Sequence, residues 1–154
     1  LRVPFYISVS TLTYTDSADV DLSDSEKDEM NKVNYGKLTM RLSNSIPMNG
    51  NLKVTFVNQK NGQKLILPKN YSSTQSGYSI SAGQINSSGY SSAETISLIT
   101  EELSKDDIVF LSNSNKCLFE IILNSASSST VFLKRDDKVK FNMISEFGYR
   151  VNGN

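Results

Sequence analysis

The stretch LTMRLSNSIPMNGNLKVTFVNQKNGQKLIL, residues 38–67, decides the fold of this chain. Apolar side chains alternate with polar ones over residues 38–43 and again over residues 52–57. Such alternation gives each run one apolar face and is typical of a half-buried β-strand. Asn61-Gly62 follows the second run, and this pair tolerates the positive φ angles that a two-residue hairpin turn requires. The segment therefore predicts antiparallel sheet.

The connection between the two runs contains Asn44-Ser45-Ile46-Pro47. Proline cannot donate a hydrogen bond to a neighbouring strand, so we expect the first strand to end or kink at Ile46. A strand that leads into Asn-x-Ile-Pro, followed by a second strand and a tight hairpin, resembles β-sandwich domains of bacterial envelope and secreted proteins, fibronectin-type or immunoglobulin-like in outline. The resemblance implies an architectural or binding role and an extracytoplasmic location, and it brings no site residue with it.

Short apolar or alternating runs continue along the rest of the chain. We expect an all-β fold, an antiparallel β-sandwich of about eight to nine strands, because stacked sheets hide the apolar faces of many half-buried strands. Immunoglobulin-like, jelly-roll and barrel topologies remain open. One short helix is expected to begin at Thr100 and to close at Asp106-Asp107. The other predicted strands cover residues 3–15, 78–85, 95–99, 108–111, 117–124, 130–133, 139–144 and 147–151.

Length and charge limit the class of protein. With 154 residues, the chain is expected to form one domain, residues 1–154, and its start at Leu1 suggests excision from a longer or signal-bearing polypeptide. Its 16 basic and 16 acidic residues balance, which argues against nucleic acid and anionic membranes as partners. No apolar run is long enough to insert into a membrane. The expected partners are other domains of a parent polypeptide, or a protein or glycan.

The reactive residue types are scarce. The chain has no histidine, the usual catalytic base and the commonest transition-metal ligand. Cys117, the single cysteine, lies in an apolar run, so it is expected to be a buried structural thiol. A carboxylate pair such as Glu101 with Asp106 could serve a glycosidase, but nothing places it across a cleft. We therefore expect no enzyme and no required cofactor.

An acidic segment, residues 16–29, contains seven carboxylates and one lysine. Asp19, Asp21 and Asp24 are spaced to converge on a Ca²⁺ ion, although the spacing is not that of an EF-hand. The favoured alternative is a solvated loop, with one helical turn capped by Ser23 or Ser25.

The charge reverses in residues 31–70, which contain seven basic residues and no acidic residue. Strand parity places Arg41, Lys53 and Thr55 opposite the apolar face. These side chains could bind an acidic partner, but the solvated side of alternating strands is the favoured interpretation.

Residues 68–93 are rich in Ser, Gly and Tyr. Tyr71, Tyr78 and Tyr90 could form a ligand-binding surface, since Tyr among small polar residues gives flat contacts and adaptable hydrogen bonds. Surface loops that merely cover the edge of the core are the favoured alternative. The sequence thus favours a structural or adhesive module, with a carbohydrate- or other polar-ligand-binding module as the alternative.

Overall fold

The computed structural model describes residues 11–72, 77–125 and 132–149. Within these ranges the chain forms ten β-strands and two α-helices. The predicted all-β fold is confirmed, with two short helices among the described residues where one was expected. The elements are β1 (Thr11–Asp19), α1 (Asp24–Lys32), β2 (Tyr35–Asn44), β3 (Asn49–Asn58), β4 (Gln63–Leu67), β5 (Tyr78–Ile80), β6 (Gln84–Ile85), β7 (Ser91–Ala93), β8 (Thr95–Leu103), α2 (Lys105–Ser112), β9 (Lys116–Asn124) and β10 (Val139–Gly148).

The strands form two main antiparallel sheets. Sheet A has the order β1-β9-β3-β4, and β5 also pairs with β3. Sheet B has the order β10-β2-β8. The strands β6 and β7 pair with each other in a small ribbon. No helix among the described residues is both long and apolar enough to cross a membrane.

The core lies between sheets A and B. The apolar residues that alternate along β2 and β3 are buried, as the sequence predicts. Burying one such side chain contributes about 1.5–3 kcal/mol. Phe119 of β9 and Phe141 of β10 join the two sheets, with ring centroids 4.7 Å apart. The buried residues of β2 and β3 are Leu38, Met40, Leu42, Leu52, Val54 and Phe56.

The side chain of Asn44 organises the connection between β2 and β3. It is fully buried, with 0% exposure. Its amide nitrogen donates to the Met48 and Ser81 carbonyls, at 3.0 and 2.9 Å, and its oxygen accepts from the Ile46 amide at 2.8 Å. Since β2 ends at Asn44, the expected end of the strand before Pro47 is confirmed.

The predicted hairpin joins β3 to β4, but its loop is longer than expected. Residues 59–62 lie between the two strands, so the two-residue turn is wrong. Gly62 has φ 74°, a conformation that glycine adopts without steric cost. The Asn61 side chain also accepts from the Gln63 amide at 3.0 Å, which closes the loop on the β4 side.

The helix expected at Thr100 is wrong, because Thr100–Leu103 forms the end of β8 and pairs with β2. Helix α2 begins instead after Ser104, in a capping box in which Ser104 and Asp107 satisfy each other's backbone amides. Asp107 therefore starts the helix that it was expected to close. The strand predicted at residues 108–111 is also wrong, since these residues lie within α2.

The acidic segment contributes to two regular elements. Residues 16–19 belong to β1, and α1 begins after Ser23, which forms a capping box with Glu26. Ser23 is thus confirmed as the cap, of a nine-residue helix rather than of one turn. Lys105 of α2 donates to the carbonyls of Asn31 and Val33, which ties the C-terminal end of α1 to α2.

Several predicted strands differ in extent. The run predicted at residues 78–85 is divided between β5 and β6. Residues 147–148 continue β10 instead of starting a separate strand. The first strand is described only from Thr11 onward, and the predictions for residues 3–10, 130–131 and 150–151 lie outside the described residues.

Candidate functional site

A cleft of about 550 Å³ opens between the two sheets at one side of the sandwich. It lies between β1 of sheet A and β10 of sheet B. Within the part of the chain that the structure describes, β1 pairs only with β9 and β10 pairs only with β2. Among the described residues, each of the two strands therefore has one edge without a partner strand beside the cleft. The cleft is lined by Leu12, Tyr14, Asp16, Ile46, Phe119, Ile121, Leu123, Lys138, Val139 and Phe141.

Strand alternation explains why the floor of this cleft is apolar. Leu12 of β1 and Ile121 of β9 point between the sheets, and Phe141 of β10 packs on the same core. The rim is polar, with Asp16 on β1 and Lys138 just before β10. An apolar floor with a charged rim suits an extended segment whose apolar side chains alternate.

Tyr14 stands at the rim and is 56% exposed. Its hydroxyl donates to Asp16 at 3.2 Å. That hydrogen bond, together with the charge of Asp16, raises the pKa of Tyr14. The ring presents a large, partly apolar surface beside the cleft.

A second, more polar groove of about 530 Å³ crosses the outer face of sheet A. Lys53 lies in this groove, on the outward face of β3 that strand parity predicts. Its ammonium forms a salt bridge with Glu120 and lies 5.1 Å from the centroid of the Tyr71 ring. The hydrogen bond that Lys53 donates to Glu120 raises the pKa of the Lys53 ammonium. Thr55 also faces outward, but its neighbours in the groove, including Ile66, leave it only 7% exposed. The charge of Lys53 is therefore balanced locally, in line with the favoured interpretation of this basic segment.

The three candidate tyrosines contact different parts of the molecule. Tyr71 faces Lys53 on the outer side of sheet A. The Tyr78 hydroxyl donates to Glu101 at 2.7 Å and links β5 to β8, and its burial raises the pKa of the phenol. The Tyr90 ring packs on Phe132, with centroids 5.0 Å apart. These contacts share no residue, and a role of the three tyrosines in ligand binding stays a prediction.

The three aspartates of the calcium hypothesis occupy successive positions around the start of α1. Asp19 ends β1 and lies 3.9 Å from Lys116. Asp24 is the first residue of α1, 3.6 Å from Lys27, and Asp21 is exposed between the two elements. Among the described residues, no three Asp, Glu, Cys or His side chains are grouped so that they could hold a metal ion. The calcium site stays a prediction without support from this arrangement.

The remaining groups with shifted pKa values hold structure together. Burial opposes the ionisation of Asp107, but hydrogen bonds from Lys69 and Ser104 outweigh it and lower the pKa of this carboxyl. Of the carboxylate pair considered for a glycosidase, Glu101 accepts a hydrogen bond from Tyr78, and Asp106 lies in the first turn of α2. Burial raises the pKa of Cys117 to about 12, and its predicted burial is confirmed.

Sequence reasoning missed the cleft. Alternation identifies the inward side chains of β1 and β10, but it does not show which strands lie at the edges of the sheets. That depends on pairing between distant segments, such as Leu12 with Leu123. The only local signal was the shared parity of Leu12 with Tyr14 and of Val139 with Phe141.

Comparison with known proteins gives a fold and no family. No family model matches the chain, and no curated protein matches it. A crystal structure from Parabacteroides distasonis ATCC 8503, described as a "putative secreted protein", is similar to this chain, with a TM-score of 0.60 and 10% sequence identity. The similarity covers 88% of this chain and 36% of that protein. The chain thus spans little more than a third of that protein's length, and the likeness shows the fold alone.

Proposed function

We propose that this chain is a non-catalytic structural or adhesive module of a secreted or cell-envelope protein. In this proposal, the cleft between β1 and β10 binds an extended segment of a neighbouring domain or of a protein partner. The observation that carries the proposal is the combination of an apolar cleft with two strand edges that pair with no other strand among the described residues. A secreted location is supported by the description of the similar protein from P. distasonis.

Strand addition would satisfy both features of the cleft at once. Backbone groups of an incoming strand pair with the free edge of β1 or β10, and its alternate side chains cover the apolar floor around Phe119 and Phe141. Each side chain removed from water in this way contributes about 1.5–3 kcal/mol before the cost of ordering the segment. A binding site of this kind gives adhesion or domain linkage without any reaction.

The non-catalytic part of the proposal is supported by the roles of the shifted groups. Tyr78 joins strands of the two sheets, Asp107 caps a helix and Cys117 lies in the core. Each shift follows from a contact that stabilises the fold. Catalytic groups are instead expected to converge on one cleft.

Site-specific photocrosslinking tests the proposal in the cells that make the protein. Benzoylphenylalanine replaces Tyr14 at the rim of the cleft, and in a matched control it replaces Ile85, which is 51% exposed on β6. We expect the Tyr14 position to crosslink to one defined envelope or secreted polypeptide, or to another domain of the same polypeptide. The Ile85 position should not give this product. Equal crosslinking from both positions, or none from Tyr14, would contradict the proposal.

A second candidate function is the binding of a carbohydrate or other polar ligand in the groove on sheet A. The specific observation is the Lys53 ammonium between Glu120 and the ring of Tyr71, because sugar recognition combines an aromatic face with charged hydrogen-bonding groups. A glycan array probed with the full chain and with Tyr71→Ala tests it. Tyr149→Ala, at a residue that is 68% exposed and directly follows β10, is the control. Binding that survives Tyr71→Ala would exclude this groove.

A further inference from the structure

The two strands that flank the cleft run in the same direction. Through β9, the start of β1 at Thr11 aligns with the start of β3 at Asn49. The start of β10 at Val139 pairs with Asn44, at the end of β2. Because the Asn44 side chain bonds to Met48, directly before β3, both starts lie at one end of the sandwich.

This shared direction determines how an added strand runs. Every pair of strands within sheets A and B is antiparallel. An antiparallel pair is also slightly more stable per residue than a parallel one. A strand that is antiparallel to β1 is antiparallel to β10 as well. Its direction is therefore the same whichever edge it pairs with.

Asp16 supplies the negative charge at the rim of the cleft. Its carboxylate accepts from the Tyr14 hydroxyl at 3.2 Å and from the Ser17 amide at 2.7 Å, which are both neutral donors. Among the described residues, Asp16 forms no salt bridge. A carboxylate has about four acceptor sites, so this one can also accept from a cation of a ligand.

Lys138 supplies the positive charge at the rim. Its backbone amide donates to the Ser45 hydroxyl at 2.8 Å, which fixes its place directly before β10. Its side chain is exposed and forms no salt bridge within the described ranges. Glu94 lies nearby, but its carboxylate is bonded to Ser43 and Lys140. The ammonium of Lys138 is thus available to an acidic group of a ligand.

The spacing of the two charges follows from the strand register. Asp16 pairs with Phe119, and the ring of Phe119 lies 4.7 Å from that of Phe141. Asp16 is therefore level with Phe141 along the cleft. Lys138 precedes Phe141 by three residues, which is about 10 Å of extended chain. Residues four apart on one face of a strand are about 13 Å apart, so two such side chains reach both charges.

We propose that the cleft selects a strand of a separate polypeptide with the sequence order basic-x-apolar-x-acidic. This inference rests on the proposed function of the cleft. An antiparallel strand runs from the level of Asp16 toward Lys138, so its basic residue comes first and meets Asp16. The acidic residue, four positions later, meets Lys138. The apolar residue between them covers the floor around Phe119 and Ile121.

The sequence of this chain argues against one of its own segments as the occupant. Among its 154 residues, the order basic-x-apolar-x-acidic occurs once, at Lys116-Cys117-Leu118-Phe119-Glu120. That stretch belongs to β9, which is paired on both sides within sheet A.

The charged rim favours a separate polypeptide over a neighbouring domain. A linked domain is held at millimolar effective concentration without any charge pairing. A separate strand has to be captured from solution, and complementary charges speed its capture and fix its register.

Two labelled peptides of the same composition test the proposal. TVTKTVTETVT has the proposed order, and its reverse, TVTETVTKTVT, has the opposite order with the same alternation. Fluorescence anisotropy measures their binding to the full chain, up to about 1 mM protein. We expect the first peptide to bind at least tenfold more tightly. The second replaces two attractions by two repulsions, each of which changes affinity up to about fivefold at an exposed rim.

A charge exchange in the protein tests which residues read the order. The variant with both Asp16→Lys and Lys138→Glu keeps the net charge and should prefer the second peptide. The matched control carries Asp28→Lys and Lys60→Glu, at two exposed positions outside the cleft, and should keep the native preference. Circular dichroism and urea unfolding confirm that both variants are folded.

The outcomes separate this inference from the proposed function. Equal binding of the two peptides, or binding of neither, would overturn the proposed order. A preference that the exchange does not reverse in the folded variant would also overturn it. The proposed function is judged by crosslinking from Tyr14 in cells. A defined crosslink together with equal peptide binding would show that the cleft binds strands without this selectivity.

Discussion

Replacing Asn44 by Asp should destabilise the protein in a way that depends on pH. The native side chain donates to the carbonyls of Met48 and Ser81 and accepts from the amide of Ile46, all at a fully buried position. A carboxylate keeps the acceptor but cannot donate. It also lies against two carbonyl oxygens without water to shield its charge.

The magnitude follows from these three contacts. The Met48 carbonyl belongs to a buried residue, so loss of its donor costs about 1–3 kcal/mol. Ser81 is exposed, and water replaces the lost bond there at little cost. Burial and the carbonyl oxygens should raise the pKa of the new carboxyl by about two units. At neutral pH this shift lowers the free energy of unfolding by about 2.7 kcal/mol. We expect the free energy of unfolding to fall by about 4–5 kcal/mol in total.

The sign of the pH effect is fixed by this raised pKa. The unfolded chain titrates near pH 3.9 and the folded variant at a higher pH, so the folded state binds more protons between the two values. Relative to the native protein, the variant should therefore lose stability as pH rises through the folded pKa, and should regain it as pH falls toward 3.9. A protonated carboxyl can donate to one carbonyl, which leaves a smaller deficit at low pH.

Urea unfolding of both proteins between pH 4.5 and pH 8 measures the difference. The matched control is Asn142→Asp, the same substitution at an exposed position of β10, where we expect a change within about 0.5 kcal/mol. A deficit that is independent of pH, or below about 1 kcal/mol at pH 8, would refute this account of Asn44.

Three further substitutions or reactions test the packing and the caps. Gly50→Ala should destabilise by at least about 3 kcal/mol, because a Cβ would lie 2.3 Å from the Ile122 carbonyl oxygen, whereas Gly148→Ala, with open space around it, should be nearly neutral in thermal unfolding. Cys117 should react with a thiol reagent at neutral pH far more slowly in the native protein than in urea, since burial raises its pKa to about 12; equal rates would contradict its burial. Ser104→Ala should lower the free energy of unfolding by about 1 kcal/mol in urea titrations through loss of the cap of α2, and an unchanged midpoint would show that this cap is not needed.

The sequence was most informative where the side-chain period decides the structure. In the middle of β2 and β3, the inward positions 38, 40 and 42 and 52, 54 and 56 all carry apolar residues, so alternation alone identified core residues such as Met40 and Val54. Gly62 and Cys117 were likewise predictable, because a positive φ and burial in an apolar run are local properties.

Prediction failed where distant pairing overrides local preference. Thr100-Glu101-Glu102 carries residues that favour a helix start, yet pairing with β2 extends β8 through Leu103. The cleft was missed for the same reason, since it depends on which strands lie at the edges of the two sheets. Strand parity correctly assigned Lys53 to the outward face of its strand. It could not identify Glu120, the residue that balances the charge of Lys53, because Glu120 lies 67 residues later in the chain.

The position of β9 within sheet A also governs when this domain can fold. The strand lies between β1 and β3, and among the described residues it is the one strand that pairs with β1, so this pairing waits until residues 116–124 are available. A growing or translocating chain must therefore keep β1 unpaired, together with one side of β3, for most of its length. Closing so long a loop before its contacts form is slow, and we expect refolding in milliseconds to seconds. During that interval the exposed strand edges make the nascent chain prone to aggregate.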